Sequence, residues 1–344
     1  MAMSVEASGS SMAKLDQSRA AVLAGSRANR CAQSSVHVLM YHRIGDARQT
    51  PDLNPVTLSA TPDDFARQIE LFTTRYNVVG IHDVVASLTE ARPLPQRALL
   101  ITFDDAYDCF LRYAWPVLYK FHAPATMFVA TSFPDSHREF WWDRVHRLLN
   151  ATASEGRWST PAGDFETSSE ADRRRANHRV AEWVARTSFD TVDAWLTDEV
   201  ERLGLPLRPA PVMTWNELRS LSAQGLTVAP HSRTHPPLTC ISSDRLRDEV
   251  QGSIADLKRE SLDPAPAFAY PGGYVDERVV EAVAAAGCHV AMSTRRGGER
   301  VRTCDPLRLR RINVGRRATL WKLRLQLALP PAWLNRVCDY LQSD

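Results

Sequence analysis

The feature that most constrains the fold is an alternation of short apolar segments with longer amphipathic ones. Apolar runs of five to seven residues, typical of buried strands, occur at residues 36–42, 76–81, 98–103, 125–130, 226–230, 267–271 and 289–294. Helical segments separate most of them, and the one at residues 61–76 begins with a Thr cap followed by Pro at the first helical position. Because strands that alternate with helices pair in parallel, the pattern predicts a parallel sheet with helical crossovers.

The number of these units favours a barrel. About seven strand–helix units occur, and the absence of a Gly-x-Gly-x-x-Gly turn disfavours a dinucleotide-binding sheet. Residues 135–212 interrupt the alternation with arginine-rich amphipathic helical segments, which we expect to form an insertion that packs on the barrel and covers its mouth. We therefore predict an α/β fold, a (β/α)7-type barrel over residues 36–315 with a helical insertion at about 135–212.

The two ends of the chain differ from the barrel region. Residues 1–35 are rich in Ala and Ser and predict a disordered or weakly ordered extension. Residues 316–344 predict an amphipathic helical segment, in which residues 316–334 combine basic side chains with Leu and Trp. A helix of this kind either lies on an anionic membrane surface or packs on the barrel.

Composition excludes several classes of function and location. The 344 residues carry a formal net charge of +2 and no basic patch interleaved with aromatic residues, so nucleic acid is not an expected partner. The six cysteines are scattered without a Cys-x-x-Cys pair, which suits reduced thiols. No stretch resembles a signal-peptide core or approaches the roughly 18 apolar residues of a membrane span. We expect a cytoplasmic protein.

Chemically reactive side chains cluster at predicted strand ends, where the active sites of β/α barrels lie. The segments are "TFDDA" (102–106), "PHSRTHPPLT" (230–239) and "AYPGG" (269–273). One carboxylate with His231 and His235 supplies a three-residue metal site with an open position, a ligand set that suits zinc. Adjacent strand residues point to opposite faces, so one carboxylate of the Asp104–Asp105 pair can bind metal while the other accepts a proton from metal-bound water.

Each of these segments also has a simpler explanation. Asp104 and Asp105 before a helix are typical of an N-cap and a first-turn acid. A single His-x-x-x-His is common on surfaces and in cores, and "YPGG" alone is a turn. Their order on successive strand ends favours the metal site over these alternatives.

The motifs together resemble the polysaccharide deacetylase family, carbohydrate esterase family 4, over roughly residues 36–315. The resemblance rests on "VLMYHRIGD" (38–46), "LPQRALLITFDDAYD" (94–108), "PATMFVATSF" (124–133), "MTWNELRSLSAQGLTVAPHSRTHPPLT" (213–239), "FAYPGGYVD" (268–276) and "AVAAAGCHVAMST" (282–294). It implies a distorted β/α barrel and metal-dependent removal of N-acetyl groups from amino sugars. The metal expected is a divalent cation, Zn²⁺ first, with Ni²⁺, Co²⁺ or Fe²⁺ as alternatives.

The resemblance also implies a role for each motif residue. Asp104 matches the general base of the family, and Asp105, His231 and His235 match its metal ligands. In the implied mechanism Asp104 takes the proton of the attacking water, and the metal and the backbone N–H groups after Asp105 stabilise the oxyanion.

The sequence departs from the family pattern at four places, one of which is Pro230, where the family often has Ser or Thr before the histidine motif. Ala106 stands where the family usually has Gly, which matters only if that position needs a left-handed backbone. Ala269 stands where the most typical branch has an arginine that orients the base. Residues 305–314 lack the histidine that often serves as general acid, and His42, with His82 as a weaker candidate, is the proposed substitute. A purely structural role is the alternative for His42.

Several residues are candidates for binding the sugar. Tyr270 and Trp215 would stack on a pyranose, with packing in the barrel core as the alternative for both. Pro271 and Gly272 of the same "YPGG" segment are expected beside the substrate.

These observations predict a metal-dependent carbohydrate de-N-acetylase. Its substrate would be an N-acetylated glycan: a polysaccharide such as an exopolysaccharide, an oligosaccharide or a lipid-linked precursor. One alternative keeps the metal site and changes the substrate to another C–N bond, as in a deformylase or amidase. Another is a catalytically inactive barrel that binds glycan. The protein would be cytoplasmic, with peripheral contact at the inner membrane through residues 316–334.

Overall fold

The fold is that of a computed structural model, which describes residues 34–340 and, within its last helix, no side chains at positions 337, 339 and 340. Nearly all of the predicted N-terminal extension therefore lies outside the described residues. Ser35 already belongs to the first strand.

Thirteen strands and twelve α-helices are present in the described part of the chain. The strands are β1 Ser35–Tyr41, β2 Arg43–Ile44, β3 Leu58–Ala60, β4 Asn77–Val79, β5 Ala98–Asp104, β6 Thr126–Val129, β7 Arg157–Thr160, β8 Gly163–Glu166, β9 Thr227–Pro230, β10 Ala267–Ala269, β11 Val290–Arg296, β12 Glu299–Arg300 and β13 Leu309–Asn313. The helices are α1 Pro62–Arg75, α2 Ile81–Thr89, α3 Trp115–Lys120, α4 Trp141–Ala151, α5 Glu170–Val184, α6 Phe189–Arg202, α7 Trp215–Ala223, α8 Ser243–Arg247, α9 Ser253–Arg259, α10 Glu277–Ala285, α11 Leu320–Ala328 and α12 Pro331–Tyr340.

Seven of these strands form a nearly closed parallel barrel in the order β10-β11-β13-β1-β5-β6-β9. The outermost strands approach each other where Ala265 N–H donates to the Val228 carbonyl at 2.9 Å. The predicted (β/α)7-type barrel is thus confirmed, although the set of strands differs. The predicted strand at residues 76–81 forms β4, which pairs only with β5 outside this path, and β13 takes the seventh place.

Alternation along each strand divides the apolar residues between the inside of the barrel and its outer faces. Inside, Val38, Leu100, Phe128, Met292 and Leu309 belong to one fully buried cluster. Further along the same inward rows, toward the carboxyl ends of the strands, the interior becomes polar. The barrel therefore has an apolar floor and a polar mouth, and the mouth holds the candidate site.

The predicted insertion contains α4, α5 and α6, as expected, and also a short antiparallel hairpin, β7–β8, that the helical pattern did not predict. Val180, Val192 and Leu196 from its helices share a buried cluster with Phe268 and Tyr270 from the barrel wall. The insertion is thus packed on the flank of the barrel by ordinary apolar burial.

The C-terminal segment forms two short helices, α11 and α12, separated by Pro330. Leu323 and Leu327 of α11 and Leu334 of α12 are buried in the large outer cluster of the barrel. One face of the C-terminal segment therefore packs on the barrel, as one of the two predicted alternatives required. Within the described residues, no helix has the length and apolar character that a membrane span requires.

Candidate metal centre

Three strand ends bring the candidate site together. Asp104 is the last residue of β5 and Asp105 follows it, while His231 comes directly after β9. The Nδ1–H of His231 donates to the carbonyl of Ala269, the last residue of β10, at 2.7 Å. All three strands are parallel members of one barrel, so their carboxyl ends meet at one mouth.

Asp105, His231 and His235 have the spacing of metal ligands. Asp105 Oδ1 lies 3.6 Å from His231 Nε2 and 3.3 Å from His235 Nε2. Ligand atoms about 2.1 Å from a tetrahedral zinc ion are separated by about 3.4 Å, which agrees with both distances. The three residues are buried, and one ligand atom from each lies within 4.8 Å of the other two.

Hydrogen bonding within the trio favours a bound cation. Because His231 Nδ1 carries the proton given to Ala269, its Nε2 presents a lone pair to Asp105. Asp105 Oδ1 is itself buried without a hydrogen-bond partner among the described residues. Two facing acceptors repel each other unless a positive group lies between them, so these residues fit a divalent metal.

The electrostatic surroundings of the trio point the same way. Burial raises the pKa of Asp105 well above its usual range, and the charges of Asp104 and Asp143 raise it further. Burial lowers the pKa of His231 and, more strongly, that of His235. Both imidazoles are therefore neutral and able to ligate, and a bound cation is what would keep Asp105 ionised.

The backbone at this site is held in unusual conformations. Asp105 and Ala106 have φ of +72° and +56°, and Ser232 and His235 have +60° and +57°. Left-handed conformations cost an L-residue roughly 1–2 kcal/mol each. Ala106 thus occupies a left-handed position where the family usually has Gly, and its carbonyl accepts a hydrogen bond from Met213 N–H at 2.8 Å.

Asp104 is held by an arginine that the sequence motifs did not predict. Both terminal nitrogens of Arg311 donate to the two oxygens of Asp104 at 2.8 Å, and the Arg311 side chain is completely buried. Burial alone would raise the pKa of Asp104, but Arg311, aided by His231 and His42, lowers it to about 2. Asp104 is therefore ionised at neutral pH, as a general base must be.

Arg311 replaces the arginine that the sequence lacks at position 269. It comes from β13 rather than β10, and its Nε–H donates to the Ser293 carbonyl at 3.0 Å. The available sequence signal was an arginine within the alternating stretch "LRLRRINV", because an arginine facing into a barrel needs a buried carboxylate partner.

His42 also lies within the electrostatic reach of the site. It follows β1, and its backbone N–H donates to Ser59 Oγ at 2.9 Å. Burial lowers the pKa of His42 to about 4, although the charge of Asp104 opposes this shift. The imidazole is therefore neutral at pH 7. His82, the weaker candidate, is exposed in the first turn of α2.

The predicted sugar-stacking residues have different surroundings from those expected. Tyr270 is fully buried on the outer side of the barrel, and its hydroxyl donates to the Leu307 carbonyl at 2.8 Å. Its ring therefore has no free face for a pyranose, which corrects the prediction in favour of core packing. Trp215 is half-buried against the large core cluster. Pro271 is buried, and Gly272, with φ +62°, forms the turn after β10.

The insertion supplies an aromatic wall that the sequence did not suggest. The ring of Trp142 lies 4.7 Å from that of His235, and the ring of Phe140 stacks on Trp142 at 4.4 Å. Trp142 Nε1–H donates to the Tyr107 hydroxyl at 3.1 Å. These contacts place α4 directly beside the predicted metal ligands.

A buried carboxylate fixes the loop between the two histidines. Glu249 accepts hydrogen bonds from the backbone N–H groups of Arg233 and Thr234, both at 2.8 Å, and from the Thr234 hydroxyl. Arg233 Nε–H in turn donates to Asp256 at 2.9 Å. Groups that hold the backbone of a ligand loop in this way set the direction of its ligands.

Similarity to known proteins supports the same family. Residues 91–291 match the polysaccharide deacetylase family, which confirms the resemblance drawn from the motifs. A segment of 98 residues is 29% identical to the poly-β-1,6-N-acetyl-D-glucosamine N-deacetylase of Escherichia coli K12. That segment covers 28% of this chain and 14% of the E. coli protein.

Solved structures of low sequence identity share the fold. A Streptococcus pyogenes deacetylase, PplD, solved in complex with acetate, has a TM-score of 0.58 at 18% identity, covering 86% of this chain and all of that one. A polysaccharide deacetylase from Bacillus cereus has a TM-score of 0.56 at 17% identity, covering 86% and 69%. The BpsB deacetylase domain from Bordetella bronchiseptica has 0.53 at 16% identity, covering 82% and 96%.

Proposed function

Because the chain belongs to the polysaccharide deacetylase family, we propose that it is a metal-dependent hydrolase that removes N-acetyl groups from an amino sugar of a glycan. The observation that carries the proposal is a pair of adjacent carboxylates with different surroundings. Asp105 faces two neutral imidazoles, whereas Asp104 is fixed in its ionised form by Arg311.

We propose Asp105, His231 and His235 as the residues that hold the metal, with Zn²⁺ as the first candidate and Ni²⁺, Co²⁺ or Fe²⁺ as alternatives. When bound, such a cation supplies Lewis acidity to the acetamide carbonyl and to water. The carboxylate of Asp104 takes the proton of the attacking water. Arg311 directs both Asp104 oxygens, so the base has one orientation and stays ionised.

The remaining steps concern the oxyanion and the leaving amine. Backbone N–H groups after Asp105 are proposed to donate to the oxyanion, a role that suits their fixed left-handed conformation. The leaving amine needs a proton, and His42 is the proposed donor. Since His42 is neutral at rest, it must first receive that proton, and the neighbouring charge of Asp104 favours its protonated form.

The test combines metal analysis with acetate release from N-acetylglucosamine oligomers. Asp104→Asn should retain the metal and lose about a hundredfold or more of the turnover. His231→Ala should lose the metal, while His289→Ala, which removes an exposed histidine, should change neither. Wild-type hydrolysis by both site variants would contradict the assignment. Release of formate from a formamido sugar, without acetate release, would favour the deformylase alternative.

We also propose that residues 316–334 make peripheral contact with a membrane. Trp321, Leu325 and Trp333 are 62%, 54% and 61% exposed, and Lys322 and Arg324 lie beside them on α11. Exposed Trp and Leu beside cations suit an anionic lipid surface. Flotation with anionic vesicles should depend on this surface, and Trp321→Ala/Leu325→Ala should abolish it. Equal flotation of this variant and wild type would contradict the proposal.

A cytoplasmic location is proposed on the basis of the cysteines. Five of them, Cys109, Cys240, Cys288, Cys304 and Cys338, are described by the structure, and none forms a disulfide with another. Such a pattern suits a reducing compartment.

A further inference from the structure

A large cavity lies on the flank of the barrel, between the insertion and the C-terminal helices. Its volume is about 910 Å³, and its walls come from residues 47–58, α5, residues 312–318 and α11. Ile312 and Asn313 end β13, so this cavity opens at the same end of the barrel as Asp104. A volume of this size suits a ligand considerably larger than one sugar ring.

A chain of contacts connects the cavity wall with the predicted metal ligands. Asn54 in its wall donates its backbone N–H to Asp143 at 2.6 Å and its side-chain amide to the Trp142 carbonyl at 3.3 Å. The ring of Trp142 in turn lies 4.7 Å from that of His235. Trp142 therefore lies between this part of the cavity wall and the metal centre.

Part of the cavity wall is apolar. Leu53, Val56, Leu149, Ile312 and Leu334 line it. Val56 is 76% exposed and leaves apolar surface at the rim. A purely hydrophilic glycan gains little from such a wall, whereas a hydrocarbon chain gains about 25 cal/mol for each Å² that it removes from water.

The rim of the same cavity carries uncompensated positive charge. Arg296, Arg316, Arg317 and Lys322 line it, and the described residues supply no carboxylate ion pair to any of these four side chains. The single acidic residue of the lining, Glu170, pairs with Arg174 at 3.6 Å. Several unpaired cations around an apolar cavity complement a ligand that joins an anion to a hydrocarbon chain.

The position of α11 connects this cavity with the exposed apolar surface. On a helix with 100° between residues, Leu323 and Leu327 face the core, and Lys322 and Gln326 face the cavity. Trp321 and Leu325 lie on the next face and are exposed. The cavity therefore opens next to the surface for which membrane contact is proposed.

We infer that the cavity binds the phosphate and the adjoining hydrocarbon of a lipid-phosphate-linked amino sugar, whose acetamido group reaches the metal centre. This inference rests on the proposed function and narrows its substrate to a membrane-carried glycan. In the reaction, water adds across the amide C–N bond, acetate and the free amine form, and the bond between sugar and lipid phosphate stays intact.

Binding of farnesyl phosphate to the full chain tests the cavity without turnover. By calorimetry, farnesyl phosphate should bind at least about tenfold more tightly than either farnesol or inorganic phosphate, because only it engages both wall and rim. Equal binding of farnesol would refute the role of the cations, and equal binding of inorganic phosphate would refute the role of the apolar wall.

Two variants and one control locate the binding. Arg316→Gln/Lys322→Gln should weaken farnesyl phosphate binding about tenfold, and Val56→Asp should weaken it through charge and lost apolar contact. The control Arg75→Gln/Arg302→Gln removes two exposed cations near the amino ends of the strands, where Arg75 precedes β4 and Arg302 follows β12. It should bind as wild type does. An equal loss in the control would mean a general charge effect and would overturn the inference.

Turnover separates failure of this inference from failure of the proposed function. Wild type should release acetate from farnesyl-diphosphate-linked N-acetylglucosamine with a KM about tenfold below that for the methyl glycoside. Arg316→Gln/Lys322→Gln should remove this preference without changing turnover of the methyl glycoside. Acetate release with no preference would refute the cavity ligand alone. No release from any N-acetylated glycan by the metal-loaded protein would refute the proposed function, while the calorimetry still decides what the cavity binds.

Discussion

Replacing Arg311 by Met removes the only guanidinium that contacts Asp104 in the described structure while keeping a side chain of similar length. The Arg311 side chain is 0% exposed and that of Asp104 is 3% exposed, so water cannot replace the lost partner. Removing one member of a buried pair typically costs about 3–5 kcal/mol, because the remaining charge stays buried and uncompensated. We expect Arg311→Met to lower the free energy of unfolding at pH 7 by an amount in this range.

The pKa of Asp104 reports the net effect of burial, which raises it, and of Arg311, His231 and His42, which lower it. Its pKa falls from 3.8 to about 2 in the folded protein, which corresponds to about 2 kcal/mol. Because the folded pKa is the lower one, this stabilisation is complete above about pH 4 and is lost only as the pH falls through 2. The mutational cost should be larger, since the variant also leaves the desolvation of Asp104 unopposed.

The assay is acetate release as a function of pH, with metal content and urea unfolding measured in parallel. In Arg311→Met burial raises the pKa of Asp104, so the acidic limb of the activity profile should move up by at least about 2 pH units. Metal content should not change, because Asp104 is not a proposed ligand. Arg311→Lys should show a smaller shift, since it keeps the charge and loses the two-pronged geometry.

A matched control and a double variant make the prediction refutable. Arg300→Met removes an exposed arginine from β12 and should leave both stability and pH profile unchanged. Asp104→Asn/Arg311→Met removes both charges and should recover part of the lost stability, as coupled residues do in a double-mutant cycle. An Arg311→Met protein with wild-type stability and an unmoved acidic limb would show that Arg311 does not control the base.

Three further predictions follow from the site. Glu249→Gln weakens the hydrogen-bond acceptor that holds the loop between His231 and His235, so the affinity for Zn²⁺ should fall about tenfold in competition with a chelating dye. Unchanged affinity would mean that Glu249 does not fix this loop. Excess Zn²⁺ at about a hundred times Kd should stabilise the chelator-treated protein by about 2.7 kcal/mol and raise its Tm, and a similar response of His231→Ala would place the ion elsewhere. Ala106 has φ +56° and is buried, so Ala106→Gly should leave the free energy of unfolding within about 1 kcal/mol of wild type, because relieved strain offsets the lost methyl group. Ala106→Val should lower it by more than about 2 kcal/mol. Equal values for the two variants in urea unfolding would contradict the left-handed conformation.

Local patterns were sufficient to predict the barrel. Buried parallel strands are continuous apolar runs, so all seven predicted runs contain a strand in the structure. The barrel strand that was not predicted, β13, has the sequence LRRIN, and its polar residues concealed it. Arg311 is buried only because it meets Asp104, which lies 207 residues earlier in the chain. No local pattern carries a contact of that separation.

The position of single side chains was harder to predict than the motifs. Asp105, His231 and His235 follow strand ends, and their approach follows from the parallel sheet alone. The prediction for Tyr270 was wrong about the direction of its side chain. Ala269 belongs to the inner cluster of the barrel, so the next residue, Tyr270, faces outward. Trp142 was missed because it lies in the insertion, whose packing on the barrel depends on tertiary contacts that its helical pattern does not encode.

The strand order determines when the Asp104–Arg311 pair can form during synthesis of the protein. β13 is the last barrel strand to be made, yet it lies between β11 and β1, the first strand. A nascent chain that ends before Leu309 holds the Asp104–Asp105 pair and both histidines but has no cation opposite Asp104, and its barrel is open beside β1. The proposed base thus acquires its low pKa only when the last strand closes on the first, so hydrolytic competence would arise with completion of the barrel.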